Sequence, residues 1–538
     1  MCGIFGYIHL GTYPNSGIED RKKQLKNAFL ILQRRGQDGF GVSCNDFLET
    51  TSSLNSINQL IEKQLDVFCT SNNAQKSSHL FTHFLHSIEG EQLQPLIHKT
   101  SNSQLVFNGE IYNYKQLNEC LNIQTQNDSN TLFNWLNSLS DEQVEQLNTQ
   151  IQELDGDFAF AYKREHSIYL VRDYLGVKPL WYVYDEKQSF FAFSSERKSL
   201  HYICEDESLI QEVLPTQVIE FDIKTQDHKI LQKPPLQLPK ETTQEYIQIK
   251  KQVYELLEQS VKKRLPTNSQ KKIGLLFSGG VDSTVLALIL KKLGMKFTCY
   301  TAYITAPKME VAQDYEYAQR IAQQYDLDLK VNEIKIDELE ELLVETMQLI
   351  EDDDYIKVSV ALPFLASCKL AQEDGIDIMF SGLGSEEIFA GYRRHKQSKE
   401  INKECLNGLH LLHTRDLYRD DVVCMNCTQE LRVPFLDSQL IEYCLQIPAK
   451  HKIDIEMVSK IEHEVYEKPF LNALVRSKIV LRDIAIEYLS LEEEFANRQK
   501  KAAQYGSKFD KGILHLAKKQ KLPKQEYLRE LFIKQVLS

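Results

Sequence analysis

The residues with the sharpest chemical pattern are Ser278-Gly-Gly-Val-Asp-Ser283, set between the apolar run Ile273–Phe277 and the apolar stretch Thr284–Lys292. A buried strand ends there, two glycines turn the chain, and a helix begins. Gly279 and Gly280 carry no Cβ, so main-chain N–H groups can come close to an anion. The helix N-terminus adds positive potential, which favours a phosphate or pyrophosphate. Asp282 opposes that field, because a carboxylate repels phosphates unless a cation lies between them. Mg2+ prefers oxygen ligands and bridges carboxylate to phosphate, so it resolves the conflict. The loop lacks the Gly-Lys-Ser/Thr ending of a Walker A sequence, which makes a kinase-like or GTPase-like loop the poorer reading.

A second strand, glycine turn and helix is expected over Asp377–Arg394, with Ser381-Gly-Leu-Gly-Ser-Glu-Glu387 at its turn. Two such strand ends in one parallel sheet can face a single ligand across a switch point. Taken alone, Glu386 and Glu387 are first-turn acids that suit a helix dipole. At the other end of the chain, Cys2 would carry both a thiol and a free α-amine once Met1 is removed. An α-amine titrates near ~7.7–8, so it can accept the thiol proton at neutral pH and leave a nucleophile for an amide carbonyl. The tetrahedral intermediate needs an oxyanion hole. The Asn108 side-chain amide and the Gly109 N–H, at the end of an expected strand, offer one.

These groups need rigid elements behind them. Strands are expected at Ile4–Leu10, Gln104–Asn108, Phe158–Tyr162, Ser167–Val171 and Phe190–Ser194, and helices around Arg21–Gln33 and Ser129–Leu136. Pro234, Pro235 and Pro239 mark a linker at residues 233–244, which separates a domain at 2–232 from one at 245–538. Beyond the helix expected at Glu245–Lys263, short apolar strands alternate with long helices, the signature of a parallel α/β sheet. From Glu400 onward the chain reads as mostly helical. At ~150 residues per domain, 538 residues allow two to four domains. The net charge of −13 argues against a nucleic-acid partner. No apolar run reaches the ~18 residues of a membrane span, and Met1–Tyr7 lacks the basic segment of a signal peptide. Eleven cysteines without such a signal suggest reduced thiols in a cytoplasmic setting.

The chain resembles the asparagine synthetase family, in which a class II glutamine amidotransferase domain precedes an ATP-pyrophosphatase domain. Phe107-Asn-Gly-Glu-Ile-Tyr-Asn113 is similar to the amidotransferase signature, and Arg34-Arg-Gly-Gln-Asp-Gly39 to its Arg-Gly-Pro-Asp-Gly loop, with Gln37 in place of proline. Leu170–Tyr182 resembles a later block of that domain. Ser278–Ser283 resembles the pyrophosphate motif, Asp377–Arg394 the Ser-Gly-x-Gly-Ser-Asp-Glu block, Glu430–Asp437 a third block, and Ala496–Lys500 the basic C-terminal segment. The resemblance implies an αββα Ntn-hydrolase-like sandwich followed by a doubly wound parallel α/β domain, of the adenine nucleotide alpha hydrolase-like type, with a helical extension. It implies glutamine hydrolysis by Cys2, with Asn108, Gly109, Glu110 and Asp128 holding the glutamine. It also implies binding of ATP by Leu276, Ser278, Gly279, Gly280, Asp282, Ser283, Ser381, Gly382 and Lys500, with Mg2+ on Asp282 and Glu386 and a further role for Arg432. Aspartate, or another carboxylate, would be adenylylated and then amidated by ammonia arriving through an interdomain channel. The oligomeric state is left open, with a homodimer as one option.

Departures from the family pattern bear on activity. Leu383 stands where asparagine synthetases have a glutamate implicated in proton transfer, and leucine cannot exchange a proton; such a contribution is typically worth about 10²–10⁴-fold. Glu386 replaces an aspartate, keeping the carboxylate one methylene further out. Counting back from Gln94-Pro-Leu96, His83 takes the place of an arginine that binds the glutamine α-carboxylate, without arginine's charged bidentate fork. Counting back from Pro363, Ser359 takes the place of another arginine. The mixture is closer to the asparagine synthetase domain-containing subgroup than to the housekeeping enzymes. The alternative function is a catalytically impaired member that acts as a binding or regulatory module. Glu351 and Asp354 fall where the family places substrate-side acids. Cys424 and Cys427 have metal spacing but no second Cys/His pair at zinc-finger distance, and read as plain thiols.

Overall fold

The computed structural model describes residues 2–11, 17–45, 47–70, 78–88, 90–454, 475–499 and 501–536. Chain contacts divide it into two units, Met1–Pro235 and Leu236–Ser538.

In the first unit the strands are β1 (Gly3–His9), β2 (Gly39–Cys44), β3 (Phe47–Thr51), β4 (Ser78–Leu85), β5 (Leu96–His98), β6 (Ser103–Ile111), β7 (Gly156–Arg164), β8 (Ser167–Arg172), β9 (Trp181–Asp185), β10 (Phe190–Ser194), β11 (Ile210–Glu212), β12 (Gln217–Asp222) and β13 (His228–Gln232). They form two sheets, in the orders β11-β9-β10-β1-β4-β2-β3 and β13-β12-β8-β7-β6-β5. Every pairing in both is antiparallel.

Side-chain alternation explains the layering. Successive strand residues point to opposite faces. In β1, Ile4 and Ile8 join Phe81, Phe191 and Phe193 in a core shared with Val106, Ala159, Leu170 and Phe221 of the second sheet. Phe191 and Phe221 stack across that core with ring centroids 4.2 Å apart. The other β1 face, Phe5 and Tyr7, packs on Phe29 of the helix Ile18–Leu30 and on Phe68 of the helix Leu54–Thr70. Leu105, Phe107 and Phe158 likewise pack outward on the helix Asp128–Ser138. Helix, sheet, sheet and helix layers follow one another, as the αββα expectation required. A fully buried Phe contributes about 1.5–3 kcal/mol, so the inter-sheet aromatics hold the sandwich firmly.

The second unit has a five-stranded parallel sheet of β14 (Ile273–Leu276), β15 (Phe297–Thr305), β16 (Leu329–Lys335), β17 (Ile378–Phe380) and β18 (Glu430–Arg432). Its order is β16-β15-β14-β17-β18. The chain winds outward from β14 in one direction and resumes at β17 in the other, so the sheet is doubly wound and reverses between β14 and β17. Ligands in such sheets bind beyond the carboxyl ends of the strands at the reversal. Here those ends lead into Phe277–Gly280 and Ser381–Gly384. Helices Val281–Lys292, Gln313–Gln324, Leu339–Ile350 and Tyr355–Glu373 provide the crossovers, and the stretch from Ile401 is largely helical.

Candidate active sites in the two units

In the first unit, β6 alternation that sends Leu105 and Phe107 outward turns Val106 and Asn108 toward the inter-sheet core. The Cys2 main-chain N–H donates to Asn108 Oδ1 at 2.9 Å. That bond settles the amide's orientation, since an N–H needs an oxygen acceptor. Asn108 Nδ2 is consequently presented as a buried donor with no hydrogen-bond partner among the described residues. A buried donor without a partner costs free energy unless a ligand completes it, and an oxyanion does so. Gly109 follows with φ +147°, and a Cβ there would meet Asp157 O at 2.2 Å. Only glycine allows β6 to lie this close to β7. Glu110 is half-buried at the end of the same strand. Asp128 opens the helix Asp128–Ser138; its Oδ2 accepts from Ile111 N–H at 3.0 Å and its Oδ1 from Ser129 N–H at 2.8 Å. Asn108, Gly109, Glu110 and Asp128 are therefore gathered at one end of β6, with Cys2 hydrogen-bonded to the first of them. Met1 lies outside the described residues.

Cys2 is held from behind by charge. Arg35 Nε donates to Cys2 O at 3.2 Å, and Arg35 Nη1 pairs with Glu196 at 2.9 Å. Glu196 is fully buried. Burial alone would raise its pKa, but Arg34, Lys198 and Arg35 outweigh it and hold the carboxyl well below the usual carboxylate range. His83 pairs with Ile4 in the sheet and is also fully buried. Burial pushes its pKa down to about 3, so it is neutral at physiological pH. At the position where counting placed an arginine's counterpart, the side chain thus carries no charge.

In the second unit a cavity of about 590 Å³ lies at the β14/β17 reversal, within the ~300–1,000 Å³ usual for small-molecule sites. Leu276, Ser278, Gly280, Asp282 and Ser283 line it from the β14 side, and Ser381, Gly382, Leu383 and Glu386 from the β17 side. The two glycines do different work. Gly279 takes φ +66°, and a Cβ there would strike Ala318 N at 2.6 Å, so it is required for packing on the helix Gln313–Gln324. Gly280 borders the cavity. Gly279 sets the turn that brings Gly280 to the cavity edge.

Between Asp282 and Glu386 stands a group that sequence reasoning missed. Lys478 Nζ lies 2.7 Å from Asp282 Oδ1, 2.7 Å from Asp282 Oδ2 and 2.7 Å from Glu386 Oε1. Ser385 Oγ donates to Asp282 Oδ1 at 2.6 Å. The two carboxylates expected to hold Mg2+ do converge, and their oxygens are donors of the kind that ion takes. The cation between them, however, is an ammonium, and no group of three or more metal-ligating side chains forms among the described residues. Arg498, two positions before Lys500, donates to Ser278 O at 2.7 Å and pairs with Asp314, tying the C-terminal segment to the glycine loop. Lys500 itself lies outside the described residues.

Arg432 lies deeper in the sheet. Its guanidinium donates to Glu430 at 2.8 Å and to the Arg264 carbonyl, and it does not border the cavity. Ser359 is buried and turned to the Ile356 carbonyl; Lys357 is the residue of that helix that reaches the cavity with a charge. Asp354 caps the helix Tyr355–Glu373 and borders the cavity, whereas Glu351 accepts from Tyr418 at 2.6 Å. Cys424 and Cys427 are buried, and Cys424 Sγ sits 3.6 Å from Cys368 Sγ. No helix among the described residues is long and apolar enough to cross a membrane.

Comparison with known proteins agrees with both halves. The family model for asparagine synthase matches residues 252–403 and 396–538, more than half of the chain, and that for the glutamine amidotransferase domain matches 75–252. A Methanocaldococcus jannaschii protein bearing the name of a glutamine-hydrolyzing asparagine synthetase is 31% identical over 96% of this chain and 96% of its own length. Asparagine synthetase B of Escherichia coli K12 is 26% identical over 84% of this chain and 76% of its own. The asparagine synthetase of Gallus gallus is 28% identical over 66% and 67%. The chain belongs to the asparagine synthase family, with a glutamine amidotransferase domain at its N-terminal side.

Proposed function

We propose that the chain is an ATP-dependent carbon–nitrogen ligase that takes its nitrogen from glutamine and amidates aspartate or a closely related carboxylate. The observation that carries this reading is the cavity at the sheet reversal, lined by the Ser278–Ser283 and Ser381–Glu386 turns. Residues 2–232 would form the glutaminase domain and 245–538 the synthetase domain, joined at 233–244. Cys2, freed of Met1, attacks the glutamine side-chain carbonyl; ammonia leaves, and water then cleaves the glutamyl thioester to glutamate. Asn108 Nδ2 and Gly109 N–H take the oxyanion, and Asp128 pairs with the α-ammonium. In the second unit the acceptor carboxylate attacks the α-phosphorus of ATP and pyrophosphate departs. Ammonia then displaces AMP from the acyl carbon and loses its extra proton.

The main-chain N–H groups at the Gly280 turn bind phosphate oxygens, with Leu276, Ser278, Gly279, Ser283, Ser381 and Gly382 around the nucleotide and Lys500 supplying a further charge. Asp282 and Glu386 would hold Mg2+, which when bound neutralises phosphate charge. The cytoplasmic setting belongs to the same proposal and rests on eleven cysteines in the sequence. The test is pyrophosphate release dependent on both aspartate and ammonia, which bypasses the first unit; no release above an Asp282→Ala control would defeat the ligase reading.

A binding or regulatory role is the second reading, favoured by two observations. Leu383 gives the cavity no proton acceptor at that position, and neutral His83 offers no charge to an α-carboxylate. That reading gains if ATP binds without turnover and no glutamate is released.

A further inference from the structure

Lys478 belongs to a built arrangement. Its backbone takes φ 56° just before the helix Ile479–Leu489, and its carbonyl accepts from Arg482 N–H at 3.0 Å. The Arg482 side chain returns to Ser477 O at 2.7 Å and reaches the Ala496 carbonyl. Gly391 lies directly beneath: a Cβ there would meet Glu386 Oε2 at 1.7 Å and Lys478 Cε at 2.3 Å. The backbone is therefore anchored and the stem channelled, while the ammonium points into the cavity wall. Ser385 Oγ, 3.3 Å from Nζ, adds a neutral contact beside the two carboxylates. An ammonium has three donors, and Asp282, Glu386 and Ser385 together can occupy them.

We propose that Lys478 is an internal counter-ion that withholds the Asp282 and Glu386 carboxylates from free divalent cations. It gives them up only when nucleotide phosphates arrive to take its ammonium. The inference rests on the ATP reading above and adds an order to it. Two converging carboxylates facing water would attract free cations and repel an approaching polyphosphate. With Lys478 between them their net charge falls from −2 to −1, so phosphates meet less repulsion and the ammonium meets acceptors at least as strong as those it leaves. Four rotatable side-chain bonds carry the ammonium from one set of oxygens to the other, and the anchored backbone need not move. A cation that enters with the phosphates then finds both carboxylates available. Lys478 is a positioning residue in this scheme, acting through Asp282 and Glu386.

Mn2+ is the probe, its binding followed by electron paramagnetic resonance or calorimetry on the full chain. Nucleotide-free wild type should bind Mn2+ weakly, and addition of a non-hydrolysable ATP analogue should tighten binding at one site. Lys478→Gln should bind Mn2+ about tenfold or more tightly without nucleotide, because a full charge has been removed from beside two carboxylates. Lys478→Arg should keep the exclusion, and adding Asp282→Asn to Lys478→Gln should abolish the gain. Equal Mn2+ affinity of wild type with and without bound analogue would overturn the inference, and that comparison needs no variant to fold. A folded Lys478→Gln protein with unchanged Mn2+ affinity would overturn it too. Failure of wild type to bind the analogue at all would instead strike the ATP reading, leaving the nucleotide-free comparison of wild type with Lys478→Gln to decide the role of Lys478.

Discussion

The two units prepare for chemistry in opposite ways. Around Cys2 the charges stand behind the site: Arg35 donates to the Cys2 carbonyl and is itself held by Glu196, while the proposed oxyanion donors, Asn108 Nδ2 and the Gly109 N–H, are neutral. In the second unit the charges stand inside the cavity, and Asp282, Glu386 and Lys478 quench one another until a ligand intervenes. A neutral, dry donor is ready for an oxyanion and costs no reorganisation at the moment of reaction. A quenched ion cluster must first be rearranged, which lets one ligand control the entry of another. One half is preorganised; the other is conditional.

The largest effect expected from breaking this comparison comes from Cys2→Ala. Glutamate release should fall by about 10⁴-fold or more, as for loss of any covalent nucleophile. Pyrophosphate release driven by ammonia should persist, because the second unit's cavity is built without the first unit's residues. Parallel loss of both would mean that the halves are not separable as described.

Next in size is Leu383→Glu. A carboxylate on the cavity wall restores a group able to exchange a proton, and amide formation should rise by about 10²–10⁴-fold if proton transfer is what leucine withholds. The readout is asparagine formed per pyrophosphate released. An unchanged ratio would show that position 383 does not control the proton transfer.

The smallest effect is on the pH dependence of stability and comes from buried histidines of the first unit. His79 and His83 are both pushed down to about 3, by burial first, whereas the unfolded chain titrates near ~6.5. Because the folded pKa lies below the unfolded one, their contribution is complete above about pH 6.5 and is lost as pH falls toward the folded value. By about pH 5 the loss is about 2 kcal/mol for each histidine. Urea unfolding at about pH 7.5 and about pH 5 should show it, and His83→Gln should reduce it by roughly half. A His83→Gln protein as acid-sensitive as wild type would show that the imidazole is not buried in its neutral form.

Much of the fold was legible because its signals are local. The strand at Ile273–Leu276, the glycine turn and the helix at Val281–Lys292 announce themselves within about twenty residues, since a buried strand, a turn and a helix start each need their own residue types in order. The same holds for Asn108-Gly109, where the close approach of β6 to β7 requires the glycine that the sequence supplies. The αββα layers were read through a resemblance, because two-sided burial of strands such as β1 leaves no polar face to mark which sheet covers which.

Residue order is enough to give the identity and local backbone of the turns, because those follow from the residues that make them. Which charges meet there is settled by packing in three dimensions. Lys478 lies 196 positions from Asp282 in the chain, and nothing around it distinguishes it from other lysines. Resemblance implied a role for Arg432 without its partner, and the fold pairs it with Glu430. His83 could be placed by counting, but its loss of charge follows from being buried between strands. Coulomb and desolvation energies depend on distance and on exclusion of water, and chain order encodes neither.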